Sequence, residues 1–406
     1  MKIGLLAYHA ACNFGAVMQL LSTYCYLKSN GHEPVIINWM ASDLEEYYRR
    51  TTPSVQISQM KAFRTAAWNE TSLCRTAEDV AQVITENDIE AVIIGSDAVV
   101  QHHPLRERIV FPCRTIIGVN KNTSDCEFPN PFWATWNGIR NCDVPVALMS
   151  ASSQDSAYRK IPVNVRNEME RQILKFRYVS TRDLWTKEMF AYITHGKCDP
   201  EVTPDPVFAF NQNASSLIPK REEFLKRFGL PEKYILLSFI NDTTVSQQWI
   251  SNFETLAEKE GYECALLPFA QKPSFGTVRH NISLPLSPLD WYALIRYSSG
   301  FVGHNMHPIV VAIHNDVPFF SFDNYGRKRF NGLLTDDRSS KIRHILGEAM
   351  LSQQRISCIN RGFKAPSSQE ILARLKSFPH DKSQAFAAKY LDKYNTMMNE
   401  IIHRLT

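Results

Sequence analysis

The feature that most constrains this chain is a short apolar run that recurs between helices. Residues 2–8, KIGLLAY, show no polar alternation, the pattern of a strand buried on both faces. A helical stretch follows from Val17 to Lys28, with Met18, Leu21, Tyr24, Cys25 and Leu27 on its apolar side, and Gly31 ends it. PVIINW, residues 34–39, is a second buried run. Strand, helix and strand within about 40 residues form a βαβ unit, which requires a parallel sheet with a right-handed crossover.

The unit repeats. Residues 76–88 read as helix and 89–97, IEAVIIGSD, as a strand ending in a polar turn. The stretch 101–143 carries Pro104, Pro112, Pro129 and Pro131 and is expected to wrap the surface. VPVALMSASS (144–153) reads as a strand entering a small-residue loop, 163–175 as helix, RYVSTRD (177–183) as strand and 184–194 as helix, before a strand and turn at EVTPDPVF. Near Asn211–Pro219 the chain turns polar and a second series begins. Its strands are KYILLSF (233–239), CALLPF (264–269), the start of GFVGHNMHP (300–308) and VPFFSFD (317–323); its helices are 246–260, 288–297 and 309–314. In the tail, 383–405, Phe386, Tyr390, Tyr394, Met397, Ile401 and Leu405 recur at helical spacing.

This order predicts an α/β fold with two Rossmann-like domains in a GT-B-like arrangement, residues 1–212 and 213–380. A C-terminal helix, 381–406, is positioned to return to the first domain. Ligands of open parallel sheets bind beyond the carboxyl ends of the strands, so the site is expected in the cleft between the domains. Composition narrows the function. A net charge of +4 with no basic run speaks against nucleic-acid binding and suits anionic small molecules. Nine cysteines, an odd number with no CxxC pair, read as free thiols in a reducing cytoplasm rather than as a metal or disulfide framework. His9, Asn13 and Gln19 interrupt the apolar N-terminus, which reads against a signal peptide, and no stretch reaches membrane-spanning length.

Polar residues that follow strands are the site candidates. Asn13-Phe14-Gly15-Ala16, with Gln19 beyond it, opens a helix; its free N–H groups favour an anion, or Asn13 simply caps the turn. Asp97 closes Gly95-Ser96-Asp97 and can hold a sugar hydroxyl or cap a helix. Ser152, within Ser150–Ser153, leaves room for a ligand or for packing. Arg182 offers a guanidinium that forks onto carboxylate or phosphate, or a salt bridge. Asp205 can orient Arg182 or a substrate, or cap a turn. In Gly303–Pro308, His307 can carry a proton near neutral pH, and Asn305 stands two places before it. His304 and His307 lie three apart, but no convergent acids accompany them, so no metal is expected. Arg329, in the cluster Arg327–Arg329, can meet an anion or lie in a solvated loop.

Taken in order, these segments resemble the polysaccharide pyruvyl transferase family over roughly residues 1–335. The resemblance rests on Asn13–Ala16 with Gln19, Gly95–Asp97, Ser150–Ser153, Ser180–Asp183, Asp205-Pro206, Asn305–Pro308 and the strand Val317–Phe320. Ala98 stands where that family often has an aromatic residue after the acid, and Pro308 where it has a small one. The resemblance implies phosphoenolpyruvate as donor, a saccharide as acceptor, a cyclic pyruvate ketal as product and no cofactor. It implies His307 as acid or phosphate partner, Arg182 as anion clamp, Asp97 and Asp205 as groups that position or deprotonate acceptor hydroxyls, and Asn13, Phe14, Gly15, Ser152, Asn305 and Arg329 as substrate contacts. The rival readings are a nucleotide-sugar glycosyltransferase of the same architecture and a non-catalytic relative. Lys389, Lys393 and Arg404 beside the apolar face of the last helix leave room for peripheral contact with the inner face of a membrane if the acceptor is lipid-linked.

Overall fold

The computed structural model describes residues 1–113, 116–329 and 334–406. In the first domain the strands are β1 (Lys2–Leu6), β2 (Glu33–Ile36), β3 (Ala91–Asp97), β4 (Ile109–Cys113), β5 (Ile116–Val119), β6 (Val146–Ala151), β7 (Tyr178–Thr181) and β8 (Glu201–Val202). Six of them form a parallel sheet in the order β2-β1-β3-β6-β7-β8, while β4 and β5 pair as an antiparallel hairpin. The apolar runs form the central strands for the reason their composition implies: every residue of β3 and of β6 is buried, so neither face tolerates a polar alternation.

The second domain repeats the plan with β9 (Tyr234–Ser238), β10 (Glu263–Leu266), β11 (His280–Asn281), β12 (Gly300–Gly303), β13 (Phe319–Asp323), β14 (Arg327–Arg329), β15 (Leu334–Asp336) and β16 (Arg355–Ser357). Here the parallel order is β11-β10-β9-β12-β13-β16, and β14 and β15 form a hairpin beyond β13. Local chemistry starts the helices. Asn13 caps Phe14–Ser29, Thr76 and Asp79 make a reciprocal capping box at Ala77–Glu86, and Ser246 and Ser287 cap Gln247–Lys259 and Pro288–Arg296. The architecture is the predicted one: two parallel-sheet α/β domains.

The two sheets share one continuous apolar core. Phe14 on the first helix stacks on Trp291 of the second domain, with ring centroids 5.7 Å apart. The C-terminal helix, His380–Leu405, touches both domains. Near its start Ser383 donates to the carbonyl of Ile313 (3.3 Å); further on, Tyr394 meets Tyr26 edge to face and accepts from Asn213. Its Met397 thioether accepts a hydrogen bond from Ser150 at the end of β6 (3.2 Å).

One expectation fails. The proline-rich stretch 101–143 does not merely wrap the surface, because its Phe132, Trp133 and Trp136 are fully buried and belong to the first domain's core. Trp133 lies edge-on to Phe128 and against Phe190. Three large apolar side chains among prolines bury more surface than a loop could leave exposed without cost. Helices at Ser42–Thr51, Ser54–Ala67, Lys341–Glu348 and Ser368–Lys376 were likewise outside the sequence reading. Trp133→Ala should therefore destabilise the protein by about 3–5 kcal/mol, seen as a lower urea midpoint; an unchanged midpoint would place the stretch outside the cooperative core.

Candidate active site

Strand ends from both domains converge on the cleft. Asp97 ends β3, Arg182 follows β7, and Asp205 follows β8; His307 and Lys341 come from the second domain. The guanidinium of Arg182, 2% exposed, donates from Nη1 to Asp205 Oδ2 (2.8 Å) and from Nη2 to Asp97 Oδ1 (3.0 Å). Asp205 Oδ2 also accepts from Gln19 Nε2 (2.5 Å), and its Oδ1 accepts from the Val207 amide (3.0 Å). Across the cleft, His307 Nε2 lies 3.6 Å from Asp205 Oδ2, and Lys341 Nζ lies 3.7 Å from Asp97 Oδ1. The result is a row of facing ionisable groups, Lys341–Asp97–Arg182–Asp205–His307, with three members from the first domain and both ends from the second.

Burial sets the protonation of this chain. Desolvation alone would raise the Asp97 carboxyl, but Arg182, Lys341 and His307 beside it hold it down at about 2. Asp205 goes the same way: burial opposes ionisation, and the neighbouring His307 and Arg182 keep its carboxyl well below the usual carboxylate range. Lys341 moves oppositely. Burial, then the adjacent Arg182 charge, push its ammonium down to about 8, against the pull of Asp97, Asp183 and Asp205.

The cleft over this chain encloses about 450 Å³; its lining includes Asn13, Phe14, Gly15, Asp97, Asn305, His307 and Lys341, together with the aromatic side chains of Tyr8, Tyr48, Trp291 and Tyr325. His307 sits in the first turn of the helix Met306–His314, where Pro308 costs no hydrogen bond. Its ring packs on Gly15: a Cβ there would fall 2.0 Å from Nδ1, so no side chain larger than hydrogen fits. Asn305 precedes the helix at φ 75°. That strained backbone for a non-glycine residue turns the chain from β12 toward His307.

The sequence candidates fall into distinct places. Asp97, His307, Asn305, Asn13, Phe14 and Gly15 line the cleft. Arg182 and Asp205 lie beneath its floor, with both ends of the guanidinium taken by carboxylates; Arg182 anchors the site's charges and does not itself fork onto a cleft ligand. Ser152 is fully buried, and its hydroxyl goes to Asp183 Oδ2 (2.7 Å), the acid that caps the helix Leu184–Ile193. Asn13 accepts from the Gly15 and Ala16 amides (3.0 and 3.4 Å), which makes it a cap with one edge on the cleft. Arg329 lies in β14, and its side chain is outside the described residues. His304 is buried, pinned between the Phe322 carbonyl (2.7 Å) and Thr244 (3.1 Å), and its ring is pushed down to about 4 by burial. Among the described residues no group of metal ligands converges.

Sequence reading missed Lys341. It opens the helix Lys341–Glu348 beside the cap Ser340, whose hydroxyl also donates to Asp323 at the end of β13. The pair Ser339-Ser340 before an amphipathic helix was the available signal.

Two Rossmann-like domains that meet across a cleft of paired charges define a GT-B-like α/β protein. A family model described as polysaccharide pyruvyl transferase matches residues 13–325, and the chain belongs to that family. No curated protein matches the sequence. Among solved structures, the UDP-GlcNAc 2-epimerase of Neisseria meningitidis bound to UDP-GlcNAc aligns with a TM-score of 0.55 at 10% identity, over 99% of this chain and 100% of that one. Another UDP-N-acetylglucosamine 2-epimerase aligns with a TM-score of 0.50 at 8% identity, over 95% and 90%. The glycotransferase of kitacinnamycin aligns with a TM-score of 0.47 at 13% identity, over 100% and 98%. At these identities the likeness to the two epimerases is one of fold. No helix among the described residues is long and apolar enough to cross a membrane.

Arg182→Gln should cost about 3–5 kcal/mol, because it leaves two buried carboxylates without their cation. The pH dependence has a definite sign. Asp97 is depressed from 3.8 to about 2, so its stabilisation is whole above about pH 5 and fades as pH falls from about 4 toward 2. Urea midpoints at pH 6 and pH 3 should converge between wild type and variant at the lower pH; a constant gap would show that the carboxylates do not carry the difference.

Proposed function

We propose that this protein transfers the enolpyruvyl group of phosphoenolpyruvate onto a saccharide and closes it as a cyclic ketal. The supporting observation is the placement of Lys341 and His307 on the cleft face of an otherwise buried ion chain. A donor that carries a carboxylate and a phosphate requires cations on the cleft side. Arg182 is already neutralised, so Lys341 takes the role of donor cation, and Asn305 also lines the cleft.

His307 acts as the acid. Held between Gly15 and Asp205, it gives a proton to the methylene carbon of the donor, and the neighbouring carbon becomes oxocarbenium-like. One sugar hydroxyl adds to that carbon and loses its proton. The carbon–oxygen bond to phosphate then breaks, and a second hydroxyl adds to the same carbon. Two hydroxyl protons leave: one replaces the proton His307 gave, and the other departs with phosphate. Atoms and charge therefore balance without a redox step. Asp97 faces the cleft and is ionised, which suits it to hold an acceptor hydroxyl. Asp205 is a positioning residue, fully enclosed and bound to Arg182, Gln19 and the helix cap.

Purified protein mixed with phosphoenolpyruvate and candidate glycans should release phosphate only when an acceptor is present, with a product heavier by one pyruvate ketal. His307→Ala should lower turnover about 10²–10⁴-fold, and Gly15→Ala should do so through ring displacement, both with little change in melting temperature. Absence of any acceptor-dependent turnover would turn the reading toward a nucleotide-sugar enzyme or a non-catalytic relative, and activity that survives His307→Ala would remove His307 as the acid. Binding supplies an independent check. An anionic donor favours the protonated Lys341, so affinity should hold below about pH 8 and fall above it, by at most about tenfold per pH unit. Lys341→Met should weaken binding at pH 7 and flatten this profile; an unaltered profile would remove Lys341 from the donor site.

A further inference from the structure

Beyond the cleft, the seam between the domains continues into a second cavity of about 290 Å³, lined by Tyr158, Arg159, Lys160, Trp185, Arg327 and Arg338. Four cationic side chains meet there from three separate segments: the turn Tyr158–Lys160 of the first domain, the strand β14, and the turn before Lys341 in the second. Three carboxylates offset part of this charge. Glu107 holds Lys160 and Arg327, Asp336 accepts a fork from Arg338 (2.7 and 2.9 Å), and Glu188 accepts from the Tyr158 hydroxyl (3.0 Å). The cavity keeps an excess of positive charge. Arg159 lies over the rings of Tyr158 and Tyr192 and is exposed, while Arg338, whose Nε and Nη2 are engaged by Asp336, lies over Trp185.

Position gives this cavity its meaning. A smaller hollow, whose lining includes the carboxylate of Asp155 beside Gln154, Tyr325, Gly326, Ser339 and Lys341, adjoins the cleft, and Gln154, Tyr325 and Lys341 belong to both. Tyr325 of the hollow and Arg327 of the cavity flank Gly326, and Ser339 of the hollow neighbours Arg338 of the cavity. A ligand that fills the cleft can therefore extend along the seam toward the cationic cavity.

We propose that this seam cavity binds a phosphorylated group carried by the acceptor saccharide, a phosphate ester or a diphosphate, while the acceptor's hydroxyls lie in the cleft. Guanidinium forks match phosphate oxygens in pairs. Because the cations come from both domains, the anion joins them and favours the closed cleft. The acceptor part of the proposal rests on the transferase reading; the anion site itself does not.

The double variant Arg159→Gln/Arg338→Gln tests it, since both side chains are exposed and neither belongs to the cleft. By titration calorimetry, inorganic pyrophosphate should bind the wild-type chain and lose at least about tenfold in affinity in the variant, while phosphoenolpyruvate protects both equally against thermal unfolding. Pyrophosphate that fails to bind the wild-type chain, or binds the variant as well, removes the anion site whatever the protein's activity. In turnover, a saccharide 1-phosphate or lipid-linked diphosphate saccharide should be preferred over its dephosphorylated form through KM, and the variant should abolish that preference with kcat kept. Comparison of the water-soluble and lipid-linked acceptors separates the two sources of phosphate. Pyrophosphate binding without any acceptor preference would overturn the acceptor assignment and leave a site for a free anion.

Discussion

Arg182, buried between Asp97 and Asp205, is the interaction on which the site depends. Removed from water, a guanidinium and two carboxylates are expensive individually, and only their mutual geometry makes the group tolerable. The cost fixes where everything else can go. β3, β7 and β8 must end in register so that Asp97, Arg182 and Asp205, at or just beyond their carboxyl ends, can meet. Gln19 and the Val207 amide take the remaining oxygen capacity of Asp205. The first helix is tied to this cluster by one side chain and to the second domain by Phe14.

The chain of charges is not complete within one domain. The first domain contributes two carboxylates and one guanidinium, a net negative group, and the second brings Lys341 and His307 against its two ends. Domain approach and charge completion are thus one event. One glycine allows the approach: Gly15 admits the His307 ring, where a Cβ would come within 2.0 Å of Nδ1. Gly303 serves the second domain's own sheet, where it admits the backbone of the neighbouring strand β9; a Cβ there would come within 2.3 Å of the Ser238 carbonyl oxygen.

Much of this was legible because buried parallel strands write themselves as apolar runs, and because polar residues just after such runs have few other duties. Asp97, Arg182, Asp205 and His307 were all found that way, and they do meet. Their division of labour was not legible. Whether Arg182 faces a ligand or two carboxylates depends on depth, and sequence spacing carries no depth; Ser152 has the same ambiguity and resolves to a partner of Asp183. Lys341 escaped because it starts a helix in a region with no strong strand to point at it. The stretch 101–143 was misread because prolines are visible in sequence, whereas the packing of Phe132, Trp133 and Trp136 against helices elsewhere in the chain is a long-range fact.

Lys341 also links the cleft to the seam. It faces Asp97 on one side and shares the small hollow with Tyr325 and Gln154 on the other. Its helix begins three residues after Arg338, so a single rigid segment presents one buried cation to the cleft and one exposed cation to the seam cavity. Ser340 fixes the helix start to Asp323 at the end of β13, so the spacing of the two cations is set by the second domain's own sheet. The cleft cation and the seam cation are therefore held in register by one hydrogen bond to a strand end, and a substitution at Ser340 acts on both.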